Sequence, residues 1–374
     1  MEAGARGDPP EDTRTIYRVM VVDDSAMIRG LLTRTLESDP AIKVVASAGN
    51  GELAVKAIAR TDIDVVILDI EMPVMDGLTA LPLLLRASPG VKVIMASTLT
   101  RRNAAISLRA LTAGASDYIP KPTSARDLHA TDGFRRELLA KVKALGDPAA
   151  RRERRSAALL KGPRLNLYRD AEIVLRLPSA HAPQVVAVGS STGGPRALFT
   201  VFQTLGSKLR VPVLITQHIP PTFTAILAEH IQRVTGVACA EGRDQEALEA
   251  GRIYLAPGDF HMIVERTAGT PVIRLSRSPP ENFCRPAVDP MFRSIAAAYG
   301  PNVLGVILTG MGRDGLNGGR ALIEAGGTII AQDESTSVVW GMPGAVATAG
   351  LCSRVPPIDQ IAKHMLGLVN GSGR

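Results

Sequence analysis

Val185-Val186-Ala187-Val188-Gly189-Ser190-Ser191-Thr192-Gly193-Gly194-Pro195 is the stretch from which the rest of the chain is read. Four apolar residues, three of them β-branched, form a buried strand. The chain then breaks into small residues. Pro195 opens a helix, because its missing N–H falls on a group that has no helical partner anyway. Such a strand, turn and helix start present a side chain at the C-terminal edge of a sheet. They also aim free backbone N–H groups and the positive end of a helix dipole at that edge. The geometry suits an anion or a serine nucleophile, and residues elsewhere must decide between them.

Downstream, the pattern predicts strands over Val211–Thr216, Val303–Leu308 and Thr328–Ala331, with shorter ones over Arg252–Leu255, His261–Glu265 and Val272–Leu275. Helices are predicted over Thr222–Val234, Pro290–Tyr299, Leu316–Ala325 and Ile358–Val369. This is an α/β domain on a mostly parallel sheet. Three strand ends carry Ser191, His218 and Asp314: a nucleophile, a base to take its proton and a carboxylate to orient the base. His261, which opens a strand, is the one rival to His218. Gly189-Ser190-Ser191-Thr192-Gly193 matches the G-x-S-x-G elbow, yet the order Ser…His…Asp differs from the Ser…Asp…His of α/β-hydrolases. A dinucleotide site is excluded, since the turn lacks G-x-G-x-x-G.

Upstream, strands and helices alternate five times. Strands over Arg18–Val22, Lys43–Ser47, Val65–Leu68, Lys92–Ala96 and Asp117–Ile119 alternate with helices over Ala26–Leu36, Gly51–Arg60, Thr79–Arg86, Arg102–Ala113 and Ala125–Ala144. This predicts a second parallel sheet with helices on both faces, whose ligands bind beyond the strand ends. Asp23 and Asp24 follow the first strand, Asp69 the third, Ser97 the fourth and Lys121 the fifth. Three converging carboxylates call for a cation, and oxygen ligands suit Mg²⁺.

Composition sets the remaining bounds. At 374 residues the chain is expected to form two domains. Aromatic residues make up 3 %, too few for a surface that stacks nucleic-acid bases. No apolar run reaches transmembrane length, and residues 1–15 read as a polar tail without the apolar segment of a signal peptide. Cys239, Cys284 and Cys352 show neither metal spacing nor a disulfide framework. They read as packing residues in a reducing cytoplasm. The net charge of +7 belongs to Arg135–Arg164, where ten Lys and Arg face three acidic residues. That segment reads as a solvated linker, with a short basic helix over Arg151–Leu160, rather than a nucleic-acid arm.

The first half resembles the receiver domain of two-component response regulators over roughly Ile16 to Leu145. Its carrying residues are Asp23-Asp24, Leu68-Asp69-Ile70-Glu71-Met72-Pro73-Val74-Met75-Asp76-Gly77, Ser97 and Lys121-Pro122. The resemblance implies a flavodoxin-like fold and phosphorylation of Asp69 by a histidine kinase. It implies Mg²⁺ held by Asp23, Asp24, Asp69 and the Glu71 carbonyl, with Ser97 and Lys121 on the phosphoryl group and Tyr118 as the moving aromatic.

The second half resembles the chemotaxis protein-glutamate methylesterase family. The serine turn carries this resemblance, together with Thr216-Gln217-His218, Ala256-Pro257-Gly258-Asp259 with His261-Met262, Arg285-Pro286-Ala287-Val288-Asp289, Leu308 to Gly315, Gln332-Asp333 and Val338 to Pro343. The family more usually has Ala where Ser190 stands. The resemblance implies hydrolysis of glutamate methyl esters on cytoplasmic helices of chemoreceptors, and deamidation of glutamines. Ser191, His218 and Asp314 would be the triad. Our own expectation, beyond the resemblance, is that backbone N–H groups near Thr192 and Met311 receive the oxyanion. The resemblance further implies that the unphosphorylated receiver covers the serine cleft.

The expected organisation is a tail over 1–15, a receiver over 16–145, a basic linker over 146–182 and a catalytic domain over 183–370. Both domains are expected to be doubly wound parallel sheets. The protein is expected to be a cytoplasmic monomer with no membrane insertion, no nucleic-acid partner and no cofactor at the serine site. Alternatives that fit the same residues are a receiver-controlled methylesterase outside chemotaxis and a non-catalytic phosphorylation-dependent scaffold.

Overall fold

The computed structural model describes residues 16–98, 100–121, 132–146 and 173–371. The polar tail, the Arg151–Leu160 segment, most of the basic linker and the first residues of the helix expected over Ala125–Ala144 lie outside the described residues.

The N-terminal sheet comprises β1 (Tyr17–Val22), β2 (Ile42–Ala48), β3 (Val65–Asp69), β4 (Lys92–Ser97) and β5 (Asp117–Pro120). All pairings are parallel and the spatial order is β2-β1-β3-β4-β5. Helices α1 (Ala26–Glu37), α2 (Gly51–Ile58), α3 (Gly77–Ala87), α4 (Arg101–Thr112) and α5 (Asp132–Leu145) cover it. The first four start at polar caps that satisfy orphan N–H groups: Ser25, Asn50, Asp76 and Thr100. Every residue of β3 is buried, as expected of a central strand covered on both faces.

The C-terminal sheet contains β6 (Val185–Ser190), β7 (Val213–Gln217), β8 (Cys239–Glu241), β9 (Ile253–Leu255), β12 (Val303–Ile307) and β13 (Thr328–Ala331). These six strands are parallel in the order β13-β12-β6-β7-β9-β8. β10 (His261–Thr267) and β11 (Thr270–Ser276) form a separate antiparallel hairpin. Helices α6 (Gly194–Leu205), α7 (Pro221–Thr235) and α11 (Ile358–Val369) contribute to one apolar cluster. Helices α8 (Val288–Tyr299), α9 (Leu316–Glu324) and α10 (Met342–Thr348) contribute to the other.

Both sheets are doubly wound, and each has a switch point where the chain reverses its direction of travel across the sheet. In the first it lies between β1 and β3, and in the second between β6 and β12. Crevices at such points are where ligands bind in this architecture.

The two sheets share one continuous core. α4 packs against α6 and α7. Leu108 and Leu111 thereby join Phe199, Phe202, Phe223 and Leu227 in a single buried cluster. On the other face, Val339 joins Leu138, Val142 and Leu145 of α5.

Where both ends are described, strand and helix ends lie within two residues of the sequence reading. β8 and α10 were not expected, because three residues of strand and a Met-Pro-Gly helix start leave no periodicity to read. The linker expected over 146–182 ends in residues that are bonded to the second domain. Arg176 N–H donates to the Cys352 carbonyl, Ser179 N–H donates to Thr328 Oγ1, and the Ala182 carbonyl accepts from Asn302.

Candidate active site

β6 delivers the serine turn to the switch point. Ser190, its last residue, is fully buried, and its hydroxyl donates to Gln217 Oε1 at 2.6 Å. Ser191 follows, half-buried, on the wall of a cavity of roughly 590 Å³. The Gln217 amide also donates to the Ser191 carbonyl at 2.8 Å, fixing the turn from the neighbouring strand. Gly194 is required here: a Cβ would lie 2.0 Å from Gln217 Oε1 and 2.9 Å from Ser190 Cβ. Gly193 takes φ +76°, a left-handed conformation that glycine reaches without a Cβ penalty. Among the described residues no side chain caps α6, so its N-terminal N–H groups remain directed at the turn.

His218 follows β7, lines the same cavity, and its Nε2 lies 2.8 Å from Asp314 Oδ2. Asp314 is 2 % exposed and heavily bonded. Oδ2 also accepts from Val288 N–H at 2.6 Å, while Oδ1 accepts from Asp289 N–H, Gly315 N–H and the Asn282 amide at 2.9–3.0 Å. The N-terminus of α8 therefore holds this carboxylate. Burial works to raise the Asp314 carboxyl, but His218 and these N–H groups outweigh it and hold it below the usual range. Burial likewise works to lower the His218 imidazole, but the Cys284 sulfur and Asp314 overcome it and push it up to about 10.

His261 is 1 % exposed. Its Nδ1 accepts from Ala287 N–H and its Nε2 faces the Pro279 carbonyl at 3.1 Å, so it pins two loops together. Thr192 is buried beside Ser191, and both Thr192 and Met311 line the cavity.

The roof of this cavity comes from the first domain: Asp117, Tyr118, Arg136, Glu137 and Lys141 all line it. The Thr192 hydroxyl donates to Asp117 Oδ2 at 2.8 Å, a buried bond between the domains. Lys141 of α5 lies 3.1 Å from the same oxygen, 2.9 Å from Glu137, and donates to the Tyr118 carbonyl at 2.6 Å. Tyr118 stacks on Phe223 of α7, with ring centroids 4.4 Å apart and 14° between planes. Arg136 lies 4.3 Å above the ring of Phe283.

The second group of predicted residues gathers at the other switch point. Ligand oxygens of Asp23, Asp24 and Asp69 lie within 4.8 Å of one another. The Lys121 ammonium sits 2.7 Å from Asp23 and 2.6 Å from Asp69. Glu71 lines the same surface cavity as Asp24. Burial pushes the Asp69 carboxyl up to about 6, against the pull of Lys121. Gly77 lets the loop close beneath Asp69, since a Cβ there would fall 1.9 Å from the Asp69 carbonyl oxygen. Ser97 is buried, and its hydroxyl accepts from Ser107 of α4 at 3.1 Å; its carbonyl accepts from Lys121 N–H at 2.7 Å, but among the described residues the hydroxyl makes no bond to the side chains of Asp69 or Lys121.

Three residues near the serine turn escaped the sequence reading of roles. Asn282 bridges Asp314 and Asp289 through its amide. Asp289 accepts from Gly315 and Gly318 N–H, tying α8 to α9. Cys284, read as a packing residue, places its sulfur 3.4 Å from His218 Nδ1, whereas Cys239 and Cys352 are buried. The place of Asn282 and Cys284 just before Arg285-Pro286-Ala287-Val288-Asp289 was the available signal.

Comparison with known proteins places these features. Residues 186–365 match the CheB methylesterase family and residues 19–131 the response regulator receiver domain. A protein-glutamate methylesterase/protein-glutamine glutaminase of Paramagnetospirillum magneticum is 55 % identical, over 96 % of this chain and 98 % of its own length. The corresponding protein of Azospirillum brasilense is 56 % identical over 97 % of this chain and 93 % of its own length. The crystal structure of the Thermotoga maritima CheB methylesterase catalytic domain is 38 % identical over 50 % of this chain and 100 % of that domain, with a TM-score of 0.49. With such identity along nearly its whole length, the chain belongs to the CheB family, the receiver-bearing protein-glutamate methylesterase/protein-glutamine glutaminases.

Proposed function

We propose that the protein hydrolyses γ-glutamyl methyl esters on the cytoplasmic helices of methyl-accepting chemoreceptors, and deamidates glutamines there, under control of its receiver domain. Ser191 is the nucleophile, His218 the base and Asp314 the residue that orients the base. The observation that carries this reading is the relation of His218 to Asp314, 2.8 Å apart beside an accessible Ser191, while Ser190 is buried against Gln217.

A serine hydroxyl is a weak nucleophile until a base takes its proton. Asp314 holds Nε2–H of His218, which leaves Nδ1 to accept that proton. Ser191 Oγ attacks the ester carbonyl, and the carbonyl oxygen gains negative charge. Backbone N–H groups of Thr192 and Met311 receive that charge. A single such donor typically contributes about 3–4 kcal/mol to the barrier reduction. The imidazolium then protonates the departing methoxide, releasing methanol. Water attacks the acyl-serine by the same route and frees the glutamate. With a glutamine substrate the leaving group is ammonia.

At the acidic pocket, Asp69 takes a phosphoryl group from a chemotaxis histidine kinase. Three carboxylates within 4.8 Å form a hard oxygen donor set suited to Mg²⁺, held by Asp23, Asp24, Asp69 and the Glu71 carbonyl. The ion would neutralise charge around the incoming phosphoryl group. Lys121 pairs with the phosphoryl oxygens, and Ser97 reaches them by giving up its bond with Ser107. The receiver residues over the serine cavity support an inhibitory role for the unphosphorylated domain, which phosphorylation relieves through Tyr118 and its stack on Phe223. No described helix is long and apolar enough to cross a membrane. We place the protein in the cytoplasm as a monomer.

Methanol release from methylated receptor membranes tests this reading. Release is expected from the wild type, is abolished by Ser191→Ala, and persists in Ser190→Ala. A dead Ser190→Ala beside an active Ser191→Ala overturns the assignment.

A further inference from the structure

An imidazole has two ring nitrogens, and in His218 both are occupied. Nε2 belongs to Asp314 at 2.8 Å. Nδ1, the nitrogen a serine proton would have to reach, faces Cys284 Sγ at 3.4 Å, within reach of a sulfur hydrogen bond. Cys284 lines the same cavity as Ser191, and among the described residues no hydrogen bond joins the Ser191 hydroxyl to His218.

The sulfur is held at this position by its loop. Glu281 and Cys284 exchange backbone bonds at 3.1 and 2.8 Å, closing a tight turn. Asn282, inside the turn, donates its amide to Asp314 Oδ1 at 2.9 Å and to Asp289 at 3.0 Å. One carboxylate thus anchors both the ring and the loop that carries the thiol. Phe283, beside Cys284, is 79 % exposed and lies under Arg136 of the receiver's α5. The loop is therefore touched by the domain that covers the cleft.

We propose that Cys284 is a positioning residue that competes with Ser191 for Nδ1 of His218, keeping the base from the serine while the receiver is docked. The competition has the same outcome whether the thiol donates to a neutral ring or a protonated ring donates to the sulfur, because the nitrogen is taken in both cases. The inference rests on the reading of His218 as the base of a methylesterase. Methanol release by the wild type, lost in Ser191→Ala, carries that reading independently.

The test is steady-state kinetics of the full-length, unphosphorylated protein on methylated receptor membranes. Cys284→Ala is expected to raise kcat about two- to tenfold, the rate equivalent of one ordinary net hydrogen bond, with KM held within about twofold. Cys284→Val, closer in volume to the thiol, carries the same expectation if the alanine variant is poorly folded. Cys284→Ser restores a group that can occupy Nδ1 and returns kcat toward the wild-type value. A fall in kcat in both the Ala and Val variants would show that the sulfur supports the ring instead, and an unchanged kcat would show that it does not act on the base; either result overturns the proposal.

Discussion

Asp69 and Asp314 are both buried aspartates, 3 % and 2 % exposed, one ending and one following a parallel strand at the switch point of a doubly wound sheet. Their environments drive them in opposite directions. Among the described residues Asp314 receives five hydrogen bonds: three from backbone N–H groups, one from Asn282 and one from His218. Its charge is held in place. Asp69 receives the Glu71 N–H at 3.3 Å and the Lys121 ammonium, and faces Asp23 nearby; burial leaves its carboxyl at about 6. A carboxylate that must stay charged while a neighbour changes protonation is given fixed dipoles. One that must react is left undercompensated, so that an arriving cation and phosphoryl group supply what is missing. The same architecture therefore builds an orienting group at one switch point and an acceptor at the other, and the number of backbone donors separates them.

The largest effect should come from removing the charge that those dipoles fix. Asp314→Asn keeps the size of the side chain but offers an amide where Nε2–H and three backbone N–H groups need an acceptor. It is expected to lower kcat for methyl-ester hydrolysis by about four orders of magnitude, the usual cost of a wrong imidazole tautomer in a triad. Loss of phosphodonor stimulation is instead the expected phenotype of Asp69→Asn. Should Asp314→Asn retain a tenth or more of wild-type activity, the carboxylate is structural and the contrast with Asp69 loses its catalytic half.

A smaller effect tests the charge state that Asp314 and Cys284 impose on His218. The imidazole is pushed up to about 10, so the ring is protonated over the physiological range in the docked state. Since the folded value lies above the unfolded one of 6.5, the ion-pair stabilisation is complete below pH 6.5 and is lost as pH rises through about 10. Activity has the opposite sign, because only the neutral ring accepts the serine proton. The kcat/KM of the unphosphorylated enzyme should rise about tenfold per pH unit from pH 7 toward 10. Arg136, Glu137 and Lys141 face the cavity from the receiver, and Arg285 from the catalytic side, so the profile is best compared with that of Cys284→Ala. Without the sulfur the rising limb should move to lower pH. A profile already flat from pH 7 would mean that the base is neutral at rest.

The two sites also differ in how much of them could be read from the chain. Both sheets were legible because their strands are short β-branched runs at regular spacing, and the residues at strand ends follow from that spacing alone. Asp23, Asp69 and Lys121 needed nothing beyond order along one sheet. The cleft around Ser191 was legible only as far as its strands. Cys284, Asn282 and Asp289 sit in a loop and helix start between β11 and β12, where no periodicity exists. Their proximity to His218 and Asp314 depends on long-range packing. Asn282 and Phe283 adopt positive φ, at +51° and +63°, which the residue types themselves do not announce. The roof over the serine was less legible still. Asp117 and Tyr118 read as a short strand, and nothing in their sequence says that one bonds Thr192 and the other stacks on Phe223.

That roof gives the finest test of the comparison, because among the described residues one side-chain hydrogen bond there joins the two halves of the molecule. The Thr192 hydroxyl donates to Asp117 Oδ2 at 2.8 Å in a buried setting, and Lys141 keeps Asp117 paired if the hydroxyl is removed. Thr192→Val is nearly isosteric, leaves the backbone N–H next to Ser191 in place, and deletes the one donor. A hydrogen bond to a charged group contributes about 1.5–3 kcal/mol. Part of that is recovered by Lys141, so docking should weaken by roughly tenfold or less. Basal methyl-ester hydrolysis should rise several-fold, up to the ceiling set by the phosphodonor-stimulated rate. That stimulated rate should itself change little, because the bond is already broken in the open form. If basal and stimulated rates fall together, the hydroxyl works within the serine cleft rather than between the domains, and Asp117 is a support for the catalytic turn instead of a latch upon it.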